Sequence, residues 1–135
     1  MIRVGVLGAT GKVGAEVCRA VHADADLELV AGISRSKSGE PASAALGLEG
    51  SDVVLAENLD AFDAAEVEVA VDFTSGGFAP EHVAWAIEHG IRCHVDACIG
   101  GWVLPHLDAP AWTFAVDGVT SISVDLHKYA YTPKG

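Results

Sequence analysis

This chain has few cysteines and few residues that carry positive charge. Cysteine occurs three times in 135 residues, and Cys18, Cys93 and Cys98 show no CxxC spacing. An odd count without that spacing indicates neither a disulfide framework nor a zinc site. Lys and Arg number 8 against 19 Asp and Glu, which gives a formal net charge of −11. Because this charge repels a polyphosphate backbone, general nucleic-acid binding is disfavoured.

Long apolar runs are also absent. No segment has the roughly 20 consecutive apolar residues that span a bilayer, and the first residues, MIRVGVLGATG, lack a signal-peptide cleavage region. These features predict a cytoplasmic protein without a membrane partner. Half of the residues are hydrophobic and 20% are charged, which is typical of a globular protein. The length predicts a single domain over 1–135.

The chain does contain an alternation of apolar strands and helices. The predicted strands are rich in β-branched residues or alternate apolar with polar residues. They cover 2–7, 27–33, 52–55, 67–73, 91–95 and 119–126. Helices are predicted between them, most clearly over 12–23 and 80–89. This alternation predicts a three-layer α/β/α Rossmann-like fold, and right-handed crossovers give a parallel sheet of order 3-2-1-4-5-6.

A glycine-rich turn, GATGKVG over 8–14, follows the first strand and leads directly into the first helix. Its glycines are spaced as GxxGxxG, which lets backbone N–H groups approach a pyrophosphate at the positive end of the helix. The turn therefore predicts a nucleotide site, with a purely structural tight turn as the alternative. The predicted cofactor contacts are Gly8, Thr10, Gly11, Lys12, Val13 and Gly14.

The residues after the second strand indicate which dinucleotide is preferred. An acidic residue at this place holds a ribose 2′-hydroxyl, whereas a basic residue accepts a 2′-phosphate. Here the chain reads SRSK over 34–37, with two cations and no carboxylate. Ser34, Arg35 and Lys37 are therefore predicted to favour NADP(H) over NAD(H). A solvated loop is the alternative.

Residues 1–94 resemble the N-terminal cofactor domain of the 4-hydroxy-tetrahydrodipicolinate (dihydrodipicolinate) reductases, a family of lysine biosynthesis. The matching segments are VGVLGATGKVG at 4–14, AVDFTSG at 70–76 and PEHVAWAIEHGI at 80–91. In that family the DFT stretch lies beside the nicotinamide ribose. The resemblance therefore implies that Asp72, Phe73 and Thr74 contact the cofactor. A GTTG-type loop then holds the nicotinamide, whereas this chain reads HVDACIGGW.

The resemblance also implies what a working reductase would need beyond this segment. The family's substrate domain supplies a histidine-rich catalytic motif with a lysine and a sheet used for tetramerisation, and these motifs do not occur in the 135 residues. Without the nicotinamide loop the hydride is poorly positioned for transfer. Reductase activity is therefore not expected. A truncated reductase with residual NAD(P)H-dependent activity is the alternative.

Residues 94–135 resemble a different family, through HVDACIGG at 94–101 and SISVDLHKY at 121–129. This sequence is similar to a segment of the fold-type-I pyridoxal-phosphate decarboxylases and lyases, nearest to sphingosine-phosphate lyase. The resemblance implies that Asp96 pairs with the pyridine nitrogen and that Lys128 forms the Schiff base. Because the family's phosphate cup and stacking aromatic residue are missing, pyridoxal phosphate is not expected to bind, and Lys128 is a vestigial catalytic candidate. The alternative makes Asp96 a loop carboxylate and Lys128 a solvated strand-end lysine.

The two resemblances meet inside one predicted strand, 91–95. Both families have parallel α/β sheets, so a spliced sheet can still close its core. We interpret the chain as an engineered chimera of a reductase-like segment, 1–94, and a lyase-like segment, 95–135. It is expected to bind at most a nucleotide cofactor and to lack a complete active site. The alternatives are a truncated reductase, a vestigial pyridoxal-phosphate-binding fragment and a ligand-free scaffold.

Overall fold

The computed structural model describes residues 1–109, 111–130 and 132–133. The chain divides into two compact units, Met1–Trp85 and Ala86–Gly135. Each unit contains its own parallel sheet.

The first unit is built on a three-stranded sheet. Its strands are β1 (Ile2–Leu7), β2 (Leu27–Ile33) and β3 (Val69–Asp72), and their order is β2-β1-β3 with both pairs parallel. The helices that begin in this unit are α1 (Lys12–Ala23), α2 (Ala42–Leu46), α3 (Asp60–Ala64) and α4 (Ala79–Glu88). The boundary between the two units falls inside α4. Parallel neighbours with helical crossovers are the arrangement that the alternation of strands and helices predicts.

The core of the first unit lies between this sheet and its helices. Val4 and Val6 of β1 are buried, and α1 turns Cys18 and Val21 toward them because these residues are spaced at close to one helical turn. Phe62 of α3 is fully buried and meets the ring of Trp85 edge-on, with 5.5 Å between the ring centroids. The candidate site lies at the carboxyl ends of the three strands that this core supports.

The segment 52–55, predicted as the third strand, does not form one. Only isolated bridges occur here: Val54 pairs with Pro41 in antiparallel orientation, and Ala56, just after the segment, pairs with Ile33 in parallel. A continuous ladder does not form, because neighbouring residues pair with different segments in opposite directions. Val54 pairs with the loop before α2, and Ala56 pairs with the end of β2. The prediction of a strand there was wrong.

The second unit contains a parallel pair of strands, β4 (Cys93–Asp96) and β5 (Val119–Ser123). The helix α5 (Gly100–Val103) and a 3-10 turn (Leu104–His106) lie between them in the chain. The predicted parallel pairing of 91–95 with 119–126 is thus confirmed. Its predicted end is not, because β5 stops at Ser123.

The mixed α/β class with parallel sheets is confirmed, but the strand order 3-2-1-4-5-6 is not. If the strands keep their predicted numbers, in which 52–55 is strand 3, the first sheet has the order 2-1-4 and the second sheet is the pair 5-6. Across the described ranges, no helix has the length and apolar character needed to cross a membrane.

Candidate functional site

The turn after β1 brings glycine backbone against the start of α1. Gly8 has a φ of 75°, and a Cβ there would lie 2.8 Å from the carbonyl oxygen of Phe73. A Cβ on Gly14 would overlap the Gly8 carbonyl oxygen. Gly11 is the N-cap of α1, which has no side-chain cap and no acidic residue in its first turn. The first N–H groups of α1 are therefore free of a competing side-chain acceptor, as an anion site requires.

A cleft of about 710 Å³ opens where the three strands end. Leu7 and Gly8 line it from the end of β1, Ile33 and Ser34 from the end of β2, and Thr74 from the segment after β3. Ligands of open parallel α/β sheets bind at this carboxyl edge of the strands. The remaining lining residues are Thr10, Arg35, Ser36, Glu57, Asn58, Leu59, Ser75, Phe78, Glu81 and His82.

Hydroxyl groups cluster on the β2 side of the cleft. Ser34 is only 5% exposed, and its Oγ lies 2.6 Å from Thr10 Oγ1 and 3.4 Å from Ser36 Oγ. Hydroxyls both donate and accept hydrogen bonds, so this group can reorient to meet a phosphate or a ribose.

The two cations of the loop after β2 have different surroundings. The Arg35 guanidinium lies 4.1 Å from the centre of the Phe78 ring, a cation–π contact, and Arg35 lines the cleft. The Lys37 ammonium lies 3.5 Å from a carboxylate oxygen of Glu40, with both side chains exposed, and Lys37 is not a lining residue. Arg35 is therefore the cation that this loop presents to the cleft.

Asp72, Thr74 and His82 form a hydrogen-bonded group beside the cleft. Asp72 Oδ1 accepts from the backbone N–H of Thr74 at 2.7 Å and from its hydroxyl at 2.6 Å, while Asp72 Oδ2 lies 2.7 Å from His82 Nδ1. Partial burial raises the pKa of Asp72, but the hydrogen bonds from Thr74 and His82 outweigh it and hold the pKa below its usual 3.8. Asp72 is thus an ionised carboxylate at neutral pH.

The cleft collects some of the predicted site residues and leaves others outside its lining. Those that line it are Gly8, Thr10, Ser34, Arg35 and Thr74; those that do not are Gly11, Lys12, Val13, Gly14, Lys37, Asp72 and Phe73. Sequence reasoning missed Phe78 and His82, as well as the carboxylates Glu57 and Glu81. The available signal was the four-residue spacing of Phe78 and His82, which places them on one side of the start of α4.

Asp96 and Lys128 belong to a separate cluster in the second unit. Asp96 Oδ1 accepts from the Cys98 N–H at 3.0 Å and from the Ser123 hydroxyl at 3.1 Å, and these hydrogen bonds lower the pKa of Asp96. Lys128 Nζ lies 3.0 Å from both Cys98 Sγ and Asp125 Oδ2. The bonds to Cys98 and Asp125 raise the pKa of Lys128 above its ordinary value. Lys128 therefore carries a proton and pairs directly with Asp125.

Taken together, the parallel sheet, the glycine turn and the cleft at the strand ends define a Rossmann-like protein. A family model described as the N-terminus of dihydrodipicolinate reductase matches residues 2–95. The chain belongs to this family. Among the described residues, no group of three or more His, Cys, Asp or Glu side chains is arranged to hold a metal ion.

Curated proteins and solved structures include relatives of the whole chain and of a part of it. The 4-hydroxy-tetrahydrodipicolinate reductase of Nocardia farcinica is 37% identical over 123 residues, which cover 91% of this chain and 41% of that protein. A dipicolinate-bound dihydrodipicolinate reductase from Paenisporosarcina sp. TG-14 superposes with a TM-score of 0.56 at 26% identity, covering 71% of this chain and 37% of the other. The chain thus spans less than half of these reductases.

The lyase resemblance is found as well. The sphingosine-1-phosphate lyase of Dictyostelium discoideum is 45% identical over 73 residues, which cover 49% of this chain and 14% of the lyase. Similarity to a reductase over most of the chain and to a lyase over a segment confirms the two-family pattern of the sequence.

Proposed function

We propose that the chain binds NADP(H) in the cleft of the first unit and does not complete a reductase active site. The observation that carries this proposal is the convergence of the Gly8 turn, the buried hydroxyl of Ser34 and the guanidinium of Arg35 on one cleft at the strand ends. These three features match the chemical parts of a dinucleotide phosphate. The family membership of residues 2–95 supports the same assignment.

Each anionic part of the cofactor has a partner in this proposal. The pyrophosphate lies over the Gly8 turn and the start of α1, whose N–H groups and partial positive charge favour an anion. The 2′-phosphate lies at Ser34 and Arg35, which offer a hydroxyl and a charge-assisted donor. Thr74, after β3, is assigned to the ligand because it is the member of the DFT stretch that lines the cleft.

The charges of the cleft predict a weak complex. Glu57 and Glu81 line it as well, so one guanidinium faces two carboxylates. Like charge between these carboxylates and the cofactor phosphates opposes the contribution of Arg35. Selectivity for NADPH over NADH therefore depends on Arg35 more than on the net charge of the cleft.

We propose that the chain does not turn over substrate, because a different sequence stands in place of the nicotinamide loop. Residues 93–96 form β4 and pair with β5, and HVDACIGGW stands where the family has its GTTG-type loop. A bound cofactor without that loop lacks the positioning that hydride transfer requires. We further propose that the chain is an engineered join of the two families near residue 94, with a shortened natural reductase as the alternative. One observation supports this alternative: the alignment with the Nocardia reductase covers 91% of the chain, so it must extend beyond residue 95.

Titration calorimetry with NADPH and NADH tests the cofactor assignment. We expect NADPH to bind more tightly than NADH, and Arg35→Ala to weaken NADPH binding by about tenfold, because a charge-assisted contact is worth roughly 1.5 to 3 kcal/mol before screening by solvent. The matched variant is Lys37→Ala, which removes the same charge from the same loop. Its effect is expected to be smaller because Lys37 pairs with Glu40. Equal affinity of the unmodified protein for both cofactors would refute the assignment.

A further inference from the structure

The cleft contains an imidazole with one nitrogen already engaged. His82 lines the cleft, its side chain is 12% exposed, and its Nδ1 lies 2.7 Å from Asp72 Oδ2. The ring lies nearly parallel to that of Phe78, with an interplanar angle of 18° and 6.3 Å between the centroids, and Phe78 also contacts the Arg35 guanidinium. His82 is therefore anchored by Asp72 and lies beside Phe78, which in turn contacts Arg35 of the proposed phosphate site.

The hydrogen bond to Asp72 determines which atom of His82 can meet a ligand. Asp72 is ionised and only accepts hydrogen bonds, so His82 Nδ1 must donate to it. In the neutral ring the single proton is then on Nδ1, and Nε2 is an acceptor. In the protonated ring Nε2 becomes a donor that carries positive charge. Among the described residues, no protein group forms a hydrogen bond with Nε2.

We propose that His82 is a proton-controlled contact for the phosphate groups of the dinucleotide. The protonated ring donates from Nε2 to a phosphate oxygen, whereas the neutral ring presents a lone pair that repels it. Asp72 and Phe78 position the ring for this contact. The inference rests on the proposed function, because it assigns a further residue to the same cleft.

The charged groups around the ring determine how strongly protonation of His82 changes the electrostatic field of the cleft. Arg35 reaches the cleft from the β2 side, Glu57 from the segment before α3, and Glu81 from α4, while Asp72 holds Nδ1. With His82 neutral, one cation faces two carboxylates in the cleft lining. Protonation adds a second cation, so the local field becomes more favourable to an anion.

The test measures the affinity for NADPH by calorimetry at about pH 5 and about pH 8, on either side of the usual imidazole range. We expect acidification to tighten binding to the unmodified protein about threefold to tenfold more than binding to His82→Asn. The cofactor's own phosphate titration is common to both proteins and drops out of this comparison. The control is His22→Asn, because His22 lies on α1 outside the lining of this cleft and should keep the pH response.

A second measurement keeps the inference testable if His82→Asn folds poorly. In the unmodified protein, the pH at which the His82 ring signals titrate in NMR spectra should rise when NADPH is added, since coupling between proton and ligand is reciprocal. NADPH binding with the same pH response in both proteins, or with no movement of the ring titration, overturns the role of His82 and leaves the proposed function standing. No NADPH binding at either pH overturns both.

Discussion

At the residue scale, the surroundings of Lys128 oppose the Schiff-base chemistry that the lyase resemblance implies for it. Its ammonium lies 3.0 Å from Cys98 Sγ and from Asp125 Oδ2, and the side chain is 33% exposed. These two partners raise the pKa of Lys128. An amine must lose its proton before it attacks an aldehyde, so the contacts oppose imine formation.

We therefore expect at most weak imine formation between Lys128 and pyridoxal phosphate. After mixing and reduction with borohydride, peptide mass spectrometry should find Lys128 labelled no more than Lys12 and Lys37. Asp125→Asn removes the ion pair and should increase the labelling of Lys128, which makes it the informative variant. Stoichiometric labelling of Lys128 alone, at low pyridoxal phosphate concentration, would sink this expectation.

For Arg35 and Lys37, the sequence predicted the kind of ligand but not which of the two cations is available to bind it. The composition of the loop predicted a preference for a phosphate, and Arg35 does reach the cleft. Sequence alone treated the two cations as equal, although the three-residue spacing of Lys37 and Glu40 allows an ion pair that leaves only one cation for a ligand. The spacing of Phe78 and His82 was visible in the sequence, but the contact of Phe78 with Arg35 was not, because it depends on packing between separate segments.

At the scale of elements, the bounds of the strands buried in the first sheet were predictable, whereas the end of β5 was not. The predicted bounds of β1 and β2 match the structure, and both strands bury most of their residues. The alternation of apolar and polar residues continues from 119 to 126, yet Val124 and Leu126 are 42% and 57% exposed and lie beyond β5. A period-2 pattern predicts a strand only where a partner strand pairs with its backbone and other elements cover one of its faces.

Gly118 provides a test of how the second unit is packed. It has a φ of 87°, its carbonyl accepts from Cys93 N at the start of β4, and a Cβ there would lie 2.8 Å from Ile87 Cγ1. Gly90 has a similar φ of 70°, but a Cβ there would meet nothing within 4 Å. The two glycines thus share the backbone cost of substitution and differ in the steric cost.

Gly118→Ala is expected to lower the free energy of unfolding by about 1 to 3 kcal/mol more than Gly90→Ala does, because it adds an overpacking cost to the left-handed backbone cost. Urea unfolding followed by circular dichroism measures both variants. An equal loss of unfolding free energy in both variants would contradict the close packing of Gly118 against Ile87, just before β5 begins.

At the scale of the whole molecule, we propose that the chain unfolds as one domain although it contains two compact units. The boundary between Trp85 and Ala86 falls inside α4, so a single helix contributes residues to both units. Because helix formation is cooperative, melting one half of α4 destabilises the other half.

We expect one calorimetric transition whose van't Hoff enthalpy equals the measured enthalpy. The ratio of the two enthalpies is the measured quantity, and a concentration series controls for association. Two resolved transitions would show instead that the units Met1–Trp85 and Ala86–Gly135 unfold independently.

The central claim, that the cleft of the first unit binds NADP(H), is tested most directly by NMR titration of the isotopically labelled chain with NADPH. We predict saturable shifts of the backbone signals of Gly8, Thr10, Ser34 and Arg35, with smaller shifts for NADH at the same concentration. Signals of Asp96 and Lys128 are expected to stay in place, because they belong to a cluster in the other unit. Saturable shifts confined to that cluster, or no shifts at all, would contradict the claim.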